Sequence, residues 1–132
     1  MDIHESMHRI LHLAETLADL FYLVFLKEYP EVQKLFGRVN MKQQNVLLTI
    51  ALMAIERHYE HRYPATGAYL KLLGQRHAQL GIGMDLYPKW TAAMLATLER
   101  FLGRDWHEGL AQQWREAIDV ATESILAGYV QD

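Results

Sequence analysis

The sequence predicts an all-α protein. Apolar residues recur at the three- and four-residue spacing of amphipathic helices along nearly the whole chain, whereas alternating, strand-like runs are scarce. Only three prolines and eight glycines interrupt the 132 residues, and most of them lie between the periodic segments. A chain of this length supports one hydrophobic core. We therefore expect a single helical domain over residues 1–132.

Composition excludes several classes of protein. The chain has no cysteine, so it can form neither disulfides nor thiolate metal sites. Its net charge of −3 gives no electrostatic reason to expect a nucleic acid or an anionic membrane as partner. The acidic start MDIHESMHRI does not resemble a signal peptide, and the apolar run 46–55 is about half of what a membrane span needs. We expect a soluble protein of the reducing cytoplasm.

Capping signals divide the first part of the chain. Asp2 and Glu5 form a capping pair that opens the first helix. The apolar repeat then continues to Tyr29, with a bend on the way. Pro30 suits the first turn of a short helix that reaches Phe36, and a glycine follows that helix. The members of the long repeat are Ile10, Leu13, Leu17, Phe21, Phe25 and Tyr29.

The rest of the chain divides in the same way. Asn40 caps a long helix to about His58, and the segment HYEHRYPATG (58–67) reads as a loop. Helices follow over 68–80, from Asp85 to Gly103, and from the capping pair Asp105 and Glu108 to about Gly128. Gly81 and Gly83 close the first of these three. The sequence thus predicts six or seven helices joined by short loops.

His77 is the first candidate functional residue. It shares one helix face with Leu70, Leu73 and Leu80, which lie seven and four residues before it and three after it. Burying an imidazole without a partner costs roughly 1–3 kcal/mol. Two interpretations follow, a core histidine bonded to a backbone carbonyl or a metal ligand.

Two further polar residues lie on apolar stripes. Gln43 is the polar first member of the stripe Leu47, Ile50, Ala51 and Ala54, and Tyr22 shares a face with Phe25, Leu26 and Tyr29. A partly solvated amide and an ordinary buried tyrosine would also explain them.

Taken together, these residues resemble the globin family, in particular the single-domain bacterial globins and the haem domain of flavohaemoglobins. The pair Phe21-Tyr22 followed by FLKEYPEVQKLF is similar to the second and third helices of that family. LGQRHAQLGI resembles the segment of the proximal ligand, and QQWREAI the start of the last helix. The likeness spans residues 17 to about 125. It implies the three-over-three globin fold with a shortened first helix, enclosing haem b (iron protoporphyrin IX).

The resemblance implies a proximal side built around His77. Its imidazole would bind the haem iron, as proximal histidines do in globins. The other ring nitrogen then needs an acceptor that fixes the tautomer, and the Leu73 carbonyl is our candidate. Ile82 would lie against the haem edge, and Tyr87 would open the next helix beside the pocket.

The resemblance also implies a distal side, where the gas ligand binds. Tyr22 and Gln43 would donate hydrogen bonds to the gas, each contributing about 1.5–3 kcal/mol towards a charged acceptor. Phe36, fourteen residues after Tyr22, would stack on the porphyrin, and Leu47 would take the distal leucine position.

The chain departs from the flavohaemoglobin pattern at two positions. A glutamate of the last helix bonds the proximal histidine in that family, but the corresponding residue here is Tyr129, and Glu123 lies almost two turns too early. Trp90 stands where those relatives carry an aliphatic residue. It could be a packed core residue or, as in truncated globins, a third donor to the ligand. The paired glycines of truncated globins are missing before His77, which favours the full-length fold.

Three functions are consistent with this resemblance. The chain could bind O2 reversibly for storage or transport, together with NO or CO. It could be a nitric oxide dioxygenase, and since it has no room for a flavin domain it would then need a separate reductase. It could also be a gas sensor acting through a partner, or a globin-like fold without haem. We expect a monomer or a homodimer.

One weaker signal is a row of histidines. His4, His8 and His12 are spaced four residues apart and align on one face of the first helix. Such a row can bind zinc or nickel adventitiously. We interpret it as a solvated helix face.

Overall fold

The chain folds as a bundle of six α-helices in the computed structural model, which describes residues 1–130. A seven-residue 3-10 helix spans Pro30–Phe36 and a shorter one spans Gly103–Asp105. No strand occurs within residues 1–130, so the all-α prediction is confirmed. The helices are α1 (Ile3–His12), α2 (Ala14–Glu28), α3 (Met41–His61), α4 (Pro64–Gln79), α5 (Leu86–Leu102) and α6 (Glu108–Ala127).

Several helices begin and end where the sequence predicts. Asp2 accepts a hydrogen bond from the backbone N–H of Glu5 at 2.8 Å and so caps α1. Asn40 caps α3 in the same way, since its side chain accepts from the N–H groups of Lys42 and Gln43. The predicted bend in the first long repeat lies at Leu13, which separates α1 from α2.

The loop predicted over residues 58–67 is wrong. Helix α3 continues to His61 and α4 begins at Pro64, so only Arg62 and Tyr63 connect them. Arg62 ends α3 with a left-handed φ of 52°. Pro64 then suits the first turn of α4, where a missing N–H costs nothing.

Side chains also join α3 to α4 at this corner. Thr66 donates its hydroxyl proton to the Tyr63 carbonyl at 2.9 Å. Its oxygen lies 2.9 Å from Nδ1 of His58, which must therefore be the donor. The polar segment HYEHRYPATG thus forms a tight, hydrogen-bonded corner between two helices.

The capping residue predicted for the last helix is also wrong. His107 caps α6, and its Nδ1 accepts from the N–H of Leu110 at 3.3 Å. Asp105 instead forms an ion pair with Arg9 on α1. An imidazole with one unprotonated nitrogen can accept this bond as a carboxylate would.

The core lies between α2, α3, α5 and α6, with α1 packed across α3. Trp114 is fully buried and donates its indole N–H to Ser6 at 2.9 Å, which fastens α1 to α6. No helix within residues 1–130 has the length and apolar character needed to cross a membrane. The largest fully buried apolar side chains are Trp114, Phe21, Phe25, Ile10, Leu17, Leu52, Leu70, Met94, Leu98, Leu110 and Ile118.

Two glycines allow α4 and the end of α6 to touch through their backbones. A Cβ added to Gly74 would lie 1.8 Å from the carbonyl oxygen of Ile125, and one added to Gly128 would lie 2.1 Å from that of Lys71. Neither position can hold a larger residue without separating the two elements. This close approach holds Tyr129, the residue after Gly128, beside the C-terminal half of α4.

Candidate functional site

His77 begins a chain of three hydrogen-bonded side chains. Its Nδ1 lies 2.8 Å from the hydroxyl of Tyr87, at the start of α5. That hydroxyl lies 3.0 Å from the hydroxyl of Tyr129. Tyr129 in turn donates to the backbone carbonyl of Ile82 at 2.8 Å. The bond to Tyr87, which Tyr129 and the Ile82 carbonyl hold in turn, therefore orients the imidazole.

The Ile82 carbonyl at the end of this chain determines which group is the donor in each of its hydrogen bonds. A carbonyl only accepts, so the single hydroxyl proton of Tyr129 goes to Ile82. Tyr87 must then donate to Tyr129, and its oxygen is left to accept from His77. The proton of the neutral imidazole consequently lies on Nδ1, and Nε2 carries the free lone pair.

The environment keeps His77 neutral. Burial, and secondarily the charge of Arg76, lower the pKa of the imidazole below its ordinary value of 6.5. Within residues 1–130, the side-chain hydrogen bonds of His77 involve Nδ1 alone. A neutral imidazole with an uncommitted Nε2 is the form that binds haem iron.

The predicted acceptor for His77, the Leu73 carbonyl, is wrong. Within an α-helix the carbonyl of residue 73 bonds the backbone N–H of residue 77. The imidazole turns instead towards the phenol of Tyr87, which was expected only to line the pocket. Leu73 itself is half-buried against the core.

Tyr22, the second candidate residue, lies on α2. It is 6% exposed, and its hydroxyl oxygen accepts a hydrogen bond from Nε2 of Gln44 at 2.9 Å. The ring of Phe36 packs against it edge-on, with 5.4 Å between centroids. Burial raises the pKa of Tyr22 to about 12, although Gln44 opposes this. Tyr22 is thus a neutral phenol whose own proton remains available to donate.

The glutamine that contacts Tyr22 is Gln44, whereas the resemblance assigns Gln43 to the ligand side. Gln43 is exposed, and its backbone N–H donates to the cap residue Asn40. One position along a helix turns a side chain by about 100°, which is enough to exchange the two faces. The role of Gln43 towards a gas ligand stays a prediction, and Gln44, which the sequence pattern did not single out, is the glutamine hydrogen-bonded to Tyr22.

Trp90 packs beside the same cluster. Its ring lies 5.5 Å from that of Phe21, which is itself 5.0 Å from Tyr22. Trp90 is partly buried. These contacts support its interpretation as a packing residue behind Tyr22.

One face of α3 is apolar and uncovered. Leu47 and Ile50 are 53% and 43% exposed, although they continue the stripe that begins at Gln43. Helix α3 packs into the core through Leu48 and Leu52 instead. Leu80, the residue that follows α4 and lies three positions after His77, is 70% exposed. Exposed apolar area on these helices, together with an uncommitted imidazole, fits a large apolar ligand that is attached to the protein through a metal.

The geometry agrees with the comparison with known families, in which the globin family profile matches residues 18–125. The chain belongs to the globin family. It is 28% identical over 112 residues to a flavohemoprotein of Chromobacterium violaceum, covering 83% of this chain and 28% of that protein. A flavohemoprotein of Bacillus subtilis is 24% identical over 114 residues, with coverage of 85% and 28%. The chain therefore spans less than a third of the length of these curated relatives.

A solved structure supports the fold independently. A bacterial globin from Campylobacter jejuni superimposes with a TM-score of 0.73 at 20% identity, over 94% of this globin and 92% of that chain. The globin fold predicted from the sequence is confirmed. Family membership implies a haem-binding protein, and the donor set fits haem, because it offers one neutral imidazole beside apolar surface.

Proposed function

We propose that this globin holds haem b beside α3 and α4 through Nε2 of His77 and binds a diatomic gas, O2 foremost, on the side of Tyr22. The observation that carries the proposal is the one-way hydrogen-bond chain from His77 to the Ile82 carbonyl. It keeps the proton on Nδ1 and presents Nε2 as a ligand. Haem would supply the iron atom that binds the gas.

On the distal side, the proposal gives Tyr22 the role of hydrogen-bond donor. Gln44 already donates to its oxygen, so the phenolic proton is free to point away from Gln44 towards a ligand. Phe36 restricts the ring from one side. Gln43 and Leu47, both exposed on α3, would border the ligand side of the pocket. Ile82 would border the proximal side.

The proximal chain favours reversible O2 binding over nitric oxide dioxygenation. Every acceptor in it is neutral, namely two phenols and a carbonyl, whereas a carboxylate in place of Tyr129 would draw the imidazole proton more strongly. His77 therefore has less anionic character than a histidine backed by glutamate. Nitric oxide dioxygenation remains the second candidate, because two relatives of the chain are flavohemoproteins, and it would require electrons from a reductase.

The first experiment tests whether His77 is the protein ligand of the haem iron. Purified protein should show a Soret band, and His77→Gly should lose it or shift it, with recovery on adding free imidazole. His58→Gly is the matched control, since His58 is also buried and hydrogen-bonded but lies at the α3–α4 corner. An unchanged spectrum in His77→Gly would refute the proposal.

The second experiment tests the distal donor. Tyr22→Phe should speed O2 release by roughly 10–150-fold, the equivalent of a lost bond worth about 1.5–3 kcal/mol. Unchanged release would remove Tyr22 from the ligand site. Mixing the oxygenated protein with NO and a cellular reductase then separates the two functions, since only a dioxygenase produces nitrate over many turnovers.

A further inference from the structure

A second cluster of ligand-type side chains lies at the interface of α1 and α3. His4 projects from α1, and Glu56 and Glu60 lie one turn apart on α3. Each offers a donor atom, and these three atoms all lie within 4.8 Å of one another. Nδ1 of His4 is 2.9 Å from Glu56 and 3.9 Å from Glu60. Ligands about 2.1 Å from a tetrahedral zinc ion lie roughly 3.4 Å apart, so small side-chain movements would bring these three atoms onto one ion.

We propose that His4, Glu56 and Glu60 form a binding site for a divalent first-row transition metal ion, with Zn²⁺ as its best-suited occupant. One imidazole nitrogen and two carboxylate oxygens are ligands that this ion accepts in proteins. Three protein ligands leave a fourth position for water. The ring of His8 lies 4.7 Å from that of His4 and borders the same cleft, so it is within reach of that position.

The burial of Glu56 supports the site. Its side chain is 1% exposed, and a buried carboxylate is costly unless it is paired. Its charged partners within residues 1–130 are the half-exposed His4 and, at 3.7 Å, the exposed Arg57. A divalent cation would neutralise Glu56 and Glu60 together, and it would displace to solvent the proton that His4 Nδ1 donates to Glu56.

The site is separate from the candidate haem pocket. Glu56 lies twelve residues after Gln44 on the same helix, which corresponds to about 18 Å. The ion would join α1 to α3, two helices that pack against each other. We therefore assign it a structural role, holding the shortened first helix on the globin core.

The test uses the full chain without a histidine tag, freed of metal by a chelator. Zn²⁺ titration followed by calorimetry should give one site, and Co²⁺ should give the absorption bands of a low-coordinate nitrogen–oxygen site. Zn²⁺ should also raise the unfolding temperature. His4→Gln and Glu60→Gln should each weaken binding at least about tenfold, or roughly 1.4 kcal/mol.

His12→Gln is the matched control, because His12 ends α1 and is exposed. It should bind Zn²⁺ as the parent does. Glu56→Gln is less suitable as the main variant because its carboxylate is buried, and Glu60→Gln keeps the test independent of folding. Absence of binding would overturn the proposal, and so would binding that survives both His4→Gln and Glu60→Gln.

Discussion

The hydroxyl of Tyr129 lies 3.0 Å from the hydroxyl of Tyr87, at the position where the resemblance to flavohaemoglobins places a glutamate. The hydroxyl of Tyr129 donates its hydrogen bond to the Ile82 carbonyl, so its oxygen accepts the hydrogen bond from Tyr87, as a carboxylate oxygen would. The acceptor is neutral, however. Burial and the bond to Tyr129 both raise the pKa of Tyr87, so this phenol stays protonated as well.

Removing the Tyr129 hydroxyl should weaken the hydrogen bond between His77 and Tyr87. Tyr129→Phe leaves the proton of Tyr87 without its partner, so Tyr87 becomes a poorer acceptor for the imidazole. We expect a lower iron–histidine stretching frequency in resonance Raman spectra of the haem-loaded protein, with a loss of about 1 kcal/mol in unfolding free energy. Tyr129→Glu should shift the frequency upwards. Tyr59→Phe, which removes a surface hydroxyl bonded to Glu116, should leave it unchanged.

The two adjacent glutamines of α3 should behave differently. Gln44→Leu removes the hydrogen bond to Tyr22, which holds and polarises the phenol, and we expect O2 release to quicken roughly fivefold, or about 1 kcal/mol. Gln43→Leu should change the rate of O2 release less, since the hydrogen bond to Tyr22 comes from Gln44. Flash photolysis and stopped-flow mixing measure both rates. A larger effect from Gln43→Leu would mean that α3 turns its Gln43 face to the ligand.

Alkaline pH should destabilise the fold partly through Tyr22. Its folded-state pKa is raised from 10.0 to about 12, chiefly by burial, so the folded protein favours the neutral phenol. The resulting stabilisation is complete below pH 10 and is lost as the pH rises through 12. It corresponds to about 3 kcal/mol if fully expressed.

Chemical denaturation at pH 9, 10 and 11 measures this loss. Tyr22→Phe should show a shallower decline than the parent over this range. Tyr63→Phe, at a tyrosine that is 47% exposed, should decline as the parent does. Parallel curves for the parent and Tyr22→Phe would show that Tyr22 ionises as readily in the folded protein as in the unfolded chain.

Gly74→Ala should be strongly destabilising despite the better helix propensity of alanine. The new methyl group would meet the Ile125 carbonyl at 1.8 Å, so α4 and α6 must move apart. We expect a loss of about 3 kcal/mol and a change at the proximal histidine, because Tyr129 moves with the end of α6. Thermal unfolding checks the first effect. Gly37→Ala is the control, since its Cβ would meet nothing closer than 4.0 Å.

The fold was predictable because many local signals agree with it. The caps at Asp2 and Asn40, the proline at 30 and the apolar repeats each specify the same elements that the structure contains. The errors arise where a signal is ambiguous. The polar stretch after His58 reads as a loop, yet a single left-handed residue, Arg62, turns the chain within two positions.

Of the candidate site residues that the sequence indicates, the structure brings His77 and Tyr87 together, while the functional roles of His77 and Tyr22 stay predictions. The resemblance points to Gln43, but the next residue, about 100° further round α3, is the one that contacts Tyr22. Helical periodicity could not identify Tyr87 as the partner of His77 Nδ1, because this contact depends on how α5 and the end of α6 pack against α4.

The two-residue corner between α3 and α4 holds these two helices together at one end. With Arg62 and Tyr63 as the whole connection and His58 bonded to Thr66 across it, the two helices are clamped at that end. His77 lies thirteen residues beyond Pro64 and Gln44 seventeen before His61, so both stand at the far end of their helices. Haem held at the proposed position would therefore enter and leave at the end of α3 and α4 opposite this corner.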